Sequence, residues 1–218
     1  MKFFIDTANL DQIRQAQDLG VLDGVTTNPS LMAREGIHGQ ENILQHYIDI
    51  CQIVKGDVSA EVISADFEGI VREGHELSAL HKQIVVKVPV IRDGIKAIRY
   101  FSGQHIRTNC TLVFSVGQAL LAAKAGATYV SPFIGRLDDV SADGVGLVRS
   151  IINLYHYYEF DTQVIAASIR HTMHIIQCAE AGADVVTCPL QSILGLLEHP
   201  LTTIGLQKFL ADYHKLNG

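Results

Sequence analysis

Ile84-Val85-Val86-Lys87-Val88-Pro89-Val90 contains six apolar residues and one lysine. A β-branched run this short is the signature of a strand, and apolar residues at both parities mean that both faces are covered. Similar runs recur at Lys2–Asp6, Gly24–Thr27, Val58–Ile63, Arg107–Phe114, Thr128–Phe133, Gln163–Ser168 and Asp184–Cys188. With 84–90 they make eight. Between them lie segments of helical period, among them Glu41–Val54, Glu68–Lys82, Val116–Ala125, Gly146–Tyr158 and Thr172–Ala181. Two helices end on a glycine just before a strand, at Ala125-Gly126 and Ala181-Gly182, as helix C-caps do. Strand–helix units repeated in this way imply a parallel sheet, and eight units fit a closed (β/α)8 TIM barrel of the α/β class. An open, doubly wound sheet is the alternative.

The chain has 218 residues, 48% hydrophobic and 18% charged, which suits one globular domain over residues 1–218. After the eighth strand an additional C-terminal helix is expected over about 201–216. Ile204, Phe209, Leu210, Tyr213 and Leu216 share roughly one of its faces, so it either caps the barrel or docks on a neighbouring subunit. No apolar run approaches a membrane span, and Asp6 comes too early for a signal peptide; a cytoplasmic protein is expected. The net charge of −6 argues against nucleic acid and anionic membranes as partners, while leaving room for a small phosphorylated substrate. Cys51, Cys110, Cys178 and Cys188 are widely spaced and read as buried hydrophobes. His171 and His174 lie three apart, but no carboxylate or cysteine stands at useful spacing, so no metal is expected. Gly144-Val145-Gly146 lacks the remainder of a nucleotide loop, and no cofactor is expected.

Chemistry in such a barrel sits at the C-terminal ends of the strands, so polar residues within apolar strands are the informative ones. Lys87 is the foremost. An ammonium among valines costs several kcal/mol unless it is paired or uncharged. An uncharged amine is the nucleophile that condenses with a carbonyl. Asp6 ends the first strand, and Thr27 and Asn28 follow the second. Glu61 interrupts the third. Asn109 and Thr111 share a parity on the fifth, as do Ser131 and Phe133 on the sixth. Arg136 follows the sixth strand, and Ser168 and Arg170 close the seventh. Two guanidinium forks and a hydroxyl in one sector make a phosphate clamp.

The segments Ile5-Asp6-Thr7-Ala8, Gly24-Val25-Thr26-Thr27-Asn28-Pro29-Ser30, Val86-Lys87-Val88-Pro89, Ser131-Pro132-Phe133-Ile134-Gly135-Arg136 and Ala167-Ser168-Ile169-Arg170 resemble those of transaldolases. The resemblance runs end to end and is closest to the short subfamily that also holds fructose 6-phosphate aldolases. It implies a class I aldolase, with Lys87 as the Schiff-base lysine, and sugar phosphates of the pentose phosphate pathway as substrates. Within the resemblance Asp6, Glu61 and Thr111 move protons. Asn28, Asn109 and Ser131 hold the dihydroxyacetone unit, Thr27 and Phe133 are further substrate-binding residues, and Arg136, Ser168 and Arg170 hold the phosphate. The aldolase members carry Gln and Tyr where this chain has Glu61 and Phe133, so both positions are of transaldolase type. A Tyr hydroxyl could protonate the enamine and release free dihydroxyacetone; a Phe cannot. Ile169 departs from the aromatic residue often found there. The resemblance also implies a ring-based homo-oligomer, a pentamer or decamer. Fructose 6-phosphate aldolase and a non-catalytic sugar-phosphate binding barrel are the rival readings.

Overall fold

The computed structural model describes residues 1–217. Eight parallel strands follow in chain order: β1 (Lys2–Asp6), β2 (Gly24–Thr26), β3 (Asp57–Glu61), β4 (Ile84–Pro89), β5 (Thr108–Val113), β6 (Tyr129–Pro132), β7 (Gln163–Ala166) and β8 (Val185–Cys188). β8 pairs back onto β1, from Lys2↔Val185 to Ile5↔Cys188, which closes the barrel and excludes the open sheet. The helices are α1 (Leu10–Asp18), α2 (Pro29–Arg34), α3 (Gln40–Ile53), α4 (Phe67–Leu80), α5 (Arg92–Gly103), α6 (Val116–Ala125), α7 (Ile134–Asp138), α8 (Gly144–Tyr157), α9 (Thr172–Ala181), α10 (Leu190–Gly195) and α11 (Pro200–Asn217). Side chains of Asn9, Asp66, Ser115, Asp143 and His171 cap α1, α4, α6, α8 and α9 by accepting from backbone N–H groups. Gly126 and Gly182 end α6 and α9 at φ 89°, where a side chain would be strained.

Strand alternation divides the apolar residues into two bodies. One parity, including Ile5, Val25, Val58, Val86, Cys110, Val130, Val164 and Val186, packs outward under the helices. The other parity packs Phe4, Val85, Tyr129, Ile165 and Val185 together inside the barrel. Each such burial contributes roughly 1.5–3 kcal/mol. Gly24 makes room for this inner cluster, since a Cβ there would sit 2.6 Å from the Phe4 ring. Two residues further along the same strands come Asp6, Lys87, Ser131, Ala167 and Thr187. A mostly polar layer therefore rests directly on an apolar floor.

Several strands are shorter than their apolar runs. The third stops at Glu61, and Ile63, expected inside it, is 71% exposed. There the Glu73 carboxylate takes the N–H groups of Ile63 and Ser64 and draws the chain off the sheet. The sixth and seventh end at Pro132 and Ala166, beyond which a single bridge joins Phe133 to Ala167. The terminal helix is present and does not cap the barrel: Leu201, Phe209 and Leu216 are 71%, 73% and 84% exposed. All four cysteines are buried free thiols; burial pushes Cys51 up to about 11 and Cys110 up to about 12. No helix among the described residues is long and apolar enough to cross a membrane.

Candidate active site

Lys87 projects from β4 into the barrel and is 5% exposed. Its Nζ lies 3.1 Å from Glu61 Oε2 and donates to the Thr27 carbonyl at 2.9 Å. The register Glu61↔Lys87↔Asn109 sets three polar side chains abreast on β3, β4 and β5. The buried ammonium is thus accommodated by a partner, and its partner is also a base able to take a proton from it. Thr27 contributes its carbonyl to this contact. Its hydroxyl is turned away, donating to Ser59 O at 2.9 Å and lying 3.3 Å from the Tyr47 hydroxyl. Tyr47, whose phenol is pushed up by burial, also accepts from Glu61 N and so ties α3 beneath both strand ends.

Asn109 is fully buried. Its Nδ2 donates to Ser59 Oγ at 3.1 Å, and its Oδ1 accepts from Ser131 Oγ at 2.8 Å. This chain across β3, β5 and β6 leaves one Asn109 N–H and the Ser131 lone pairs for a ligand hydroxyl. Thr111 Oγ1 is buried with no hydrogen-bond partner among the described residues. An orphaned buried hydroxyl is costly and is found where a water or substrate oxygen is to be met. Just beyond it the β5–β6 register shifts, and Leu112 adopts φ 59°. A bulge at a barrel rim re-aims the neighbouring side chains.

On the opposite wall Asp6 Oδ1 accepts from Thr26 Oγ1 at 2.7 Å, and Thr26 Oγ1 lies 2.6 Å from Thr187 Oγ1. Thr26 has one proton, which goes to Asp6, so Thr187 donates to Thr26. Neither threonine stood out in the sequence, yet strand parity places both inward. Asn28 is the N-cap of α2, its Oδ1 accepting from Leu31 N at 3.0 Å; its amide N–H groups remain available.

The mouth is shaped by α7 and the segment after β7. Arg136 lies 4.9 Å above the Phe133 ring, which packs edge-on against Phe114. Gly135 N donates to Ser168 O at 3.0 Å, an approach that a Cβ on Gly135 would block at 2.3 Å. Ser168 itself sits at φ 60°. Arg170 Nη2 is paired with Asp139 Oδ2 at 2.7 Å.

A cavity of about 490 Å³ opens here, and Asp6, Asn28, Lys87, Ser131, Phe133, Arg136, Ser168 and Arg170 all line it. Thr26, Thr187 and Arg34 line it as well, none of them anticipated. Thr27, Asn109, Thr111 and Glu61 do not form its wall. Asn109 stands behind Ser131, while Glu61 faces a second, more apolar cavity of about 850 Å³ beside Met32, Ile43 and Tyr47. The rings of His171 and His174 lie 3.8 Å apart, tilted by 44°. A carboxylate reaches this pair from elsewhere in the chain: Asp138 Oδ2 lies 2.8 Å from His174 Nε2. It is 36 positions away in the chain, beyond any local spacing rule.

The family model described as transaldolase/fructose-6-phosphate aldolase matches residues 3–218. The chain is 73% identical over the full length of both chains to a protein of Parabacteroides distasonis named probable transaldolase. It is 73% identical to one of the same name from Bacteroides fragilis, and 69% identical to one from Cytophaga hutchinsonii, again over both whole chains. Among solved structures it resembles a thiamine phosphate pyrophosphorylase from Pyrococcus furiosus, at 14% identity and a TM-score of 0.61 over 85% of this chain and 84% of that one. That likeness speaks to the barrel alone. Identity near 70% over the whole length of both chains is of another order, and the chain belongs to the transaldolase/fructose-6-phosphate aldolase family.

Proposed function

We propose that the chain works in the cytoplasm as a transaldolase, moving a dihydroxyacetone unit between sugar phosphates through an imine on Lys87. One observation carries the reading: a buried lysine amine 3.1 Å from a carboxylate, in a cavity with arginines at its mouth. Glu61 takes a proton from Nζ, and the amine attacks the ketone of fructose 6-phosphate to give a carbinolamine. Glu61 and Thr111, through a water, return the proton that lets hydroxide leave as water. Asp6 then takes the proton of the hydroxyl next to the scissile bond. That carbon–carbon bond breaks, its electron pair flows to the protonated imine, and glyceraldehyde 3-phosphate departs.

The remaining enamine is held by Asn28, Asn109 and Ser131. Phe133, packed against the Phe114 ring, has a hydrocarbon side chain and offers it no proton. The enamine therefore waits for an aldehyde, and its carbon attacks erythrose 4-phosphate. Asp6 returns its proton to the new hydroxyl, and water hydrolyses the resulting imine to free sedoheptulose 7-phosphate and the Lys87 amine. Arg136, Ser168 and Arg170 hold the phosphate in both half-reactions, and binding energy from that remote group positions the reacting carbons. The exposed apolar residues of α11 suit a homo-oligomer, a pentamer or decamer, in which this helix lies against a neighbouring copy.

The test is incubation with fructose 6-phosphate, with and without erythrose 4-phosphate, followed by borohydride trapping and peptide mass analysis. Sedoheptulose 7-phosphate formed only with the acceptor, and a dihydroxyacetone adduct on Lys87 that is absent from Lys87→Ala, are expected. Free dihydroxyacetone at a comparable rate without acceptor would move the assignment to aldolase, and an adduct on any other residue would refute the covalent step.

A further inference from the structure

Directly behind Arg170, and outside the cavity, lies a buried histidine that the reaction as described does not use. His174 is 5% exposed, one turn into α9. Its Nδ1 accepts from Arg170 N at 3.3 Å, and its Nε2 lies 2.8 Å from Asp138 Oδ2. The two contacts fix the tautomer: Nδ1 must be bare to accept the amide, so Nε2 carries the proton donated to Asp138. Asp138 Oδ1 accepts in turn from Gly144 N at 3.2 Å, which anchors the carboxylate to the start of α8. We propose that His174, oriented by Asp138, is a positioning residue that holds the Ser168–Arg170 backbone so that the arginine and serine meet the substrate phosphate.

The need for such a support is visible in the backbone. Ser168 is held at φ 60°, a conformation that costs an ordinary L-residue about 1–2 kcal/mol. Strain of this kind persists only where the surroundings over-determine it. Three ties do so, and all of them start from the short helix that also carries Arg136. Gly135 N donates to Ser168 O; Asp138 acts through His174 on Arg170 N; Asp139 Oδ2 accepts from Arg170 Nη2 at 2.7 Å. The His171 ring lies against His174, tilted by 44°, and its Nδ1 accepts from His174 N. Consecutive carboxylates at the end of α7 thus grip Arg170 by its backbone and by its side chain. Both arginines of the clamp become parts of one assembled unit, and their spacing follows from it.

The proposal rests on the reading that Arg136, Ser168 and Arg170 bind phosphate, so the experiment includes a variant for that reading. Inorganic phosphate serves as the probe, as a competitive inhibitor of the full-length enzyme. Arg170→Ala should weaken phosphate inhibition; if it does not, the clamp reading itself fails. His174→Leu is expected to raise the KM for fructose 6-phosphate and the Ki for phosphate about tenfold, while kcat stays within about twofold. At saturating fructose 6-phosphate, the KM for unphosphorylated glyceraldehyde as acceptor should be unaffected by His174→Leu. His174→Asn, which keeps an acceptor near the Nδ1 position, should recover most of the loss in Ki. If His174→Leu does not fold, Asp138→Ala, at a side chain 39% exposed, carries the same expectation. A phosphate Ki unchanged in a folded variant, while Arg170→Ala does weaken it, would overturn the inference alone. So would an equal loss of kcat with phosphorylated and unphosphorylated acceptors.

Discussion

The barrel is polar inside at both ends, and the two ends differ in what their polar groups are bonded to. At the N-terminal end Asp57 accepts from Arg107 Nη1 at 2.6 Å and from the Tyr129 hydroxyl at 2.8 Å. Arg107 donates again to Lys82 O, and Gln83 bridges the carbonyls of Val54 and Gly56. The Tyr129 phenol is pushed up by burial and by the Asp57 carboxylate, which keeps it a donor. At the C-terminal end, among the described residues, Thr111 Oγ1 has no partner and one Asn109 N–H is unused, and Ser168 is strained. A network that satisfies itself supplies stability, whereas one left open is completed by a ligand. Ion pairs occur at both ends and do not separate them. Within the barrel the unmet donors and acceptors do, although Thr108 Oγ1, at the start of β5 and of the parity opposite to Asn109, is also buried with no partner among the described residues.

Two aspartates, one at each end, put this contrast to the test. Asp6→Asn keeps an oxygen for the Thr26 hydroxyl and removes the base. It is expected to lower kcat roughly 10²–10⁴-fold, with the imine still trapped on Lys87 and the melting temperature little changed. Cleavage at the wild-type rate would show that Asp6 has been given the wrong role. Asp57→Ala is the converse, leaving the buried Tyr129 hydroxyl without its acceptor and taking from the Arg107 guanidinium one of its two. A loss of about 2 kcal/mol in urea denaturation is expected, with kcat unaltered well below the transition. Should Asp57→Ala prove as inactive as Asp6→Asn while remaining folded, the division between the ends breaks down.

How much of this the sequence discloses depends on the range of the interaction. The barrel follows from local patterns, since both strand parities at Ile84–Val90 are apolar and glycines close α6 and α9. Lys87 stands out for the same reason, as the single charge in its run. Strand ends are less legible. The apolar Ile63 extends the third run, while the carboxylate that bends the chain away belongs to Glu73, nearly two turns into the next helix. Thr26, Ser59 and Thr187 look ordinary because threonine and serine are common in strands; only closure of β8 onto β1 brings Thr187 to Thr26. Asp138 and His174 are harder still, being joined across two loops with no spacing rule to link them. The residues that do chemistry are conspicuous in the strands, whereas the residues that hold them in place become visible only through the fold.

That supporting layer yields the smallest expected effect, and pH isolates it. Burial lowers the affinity of His174 for a proton below the ordinary histidine value of 6.5, and the neighbouring His171 lowers it further. Asp138, hydrogen-bonded at 2.8 Å, opposes both. The net direction is downward, in keeping with an Nδ1 that must stay bare to accept from Arg170 N. Above pH of about 6.5 the ring is neutral in both the folded and the unfolded chain, and this contribution to stability is fully present. As pH falls below that value the unfolded chain takes up a proton that the native site resists. Stability is then lost until the lowered native value is passed, below which the deficit stays constant. The other histidines and the carboxylates also titrate, so the quantity to measure is the difference in stability between the wild type and His174→Leu across this range. The wild type should lose stability relative to the variant on acidification. A gain instead would mean that the Asp138 carboxylate outweighs burial and that the native ring is an imidazolium, which cannot accept the Arg170 amide.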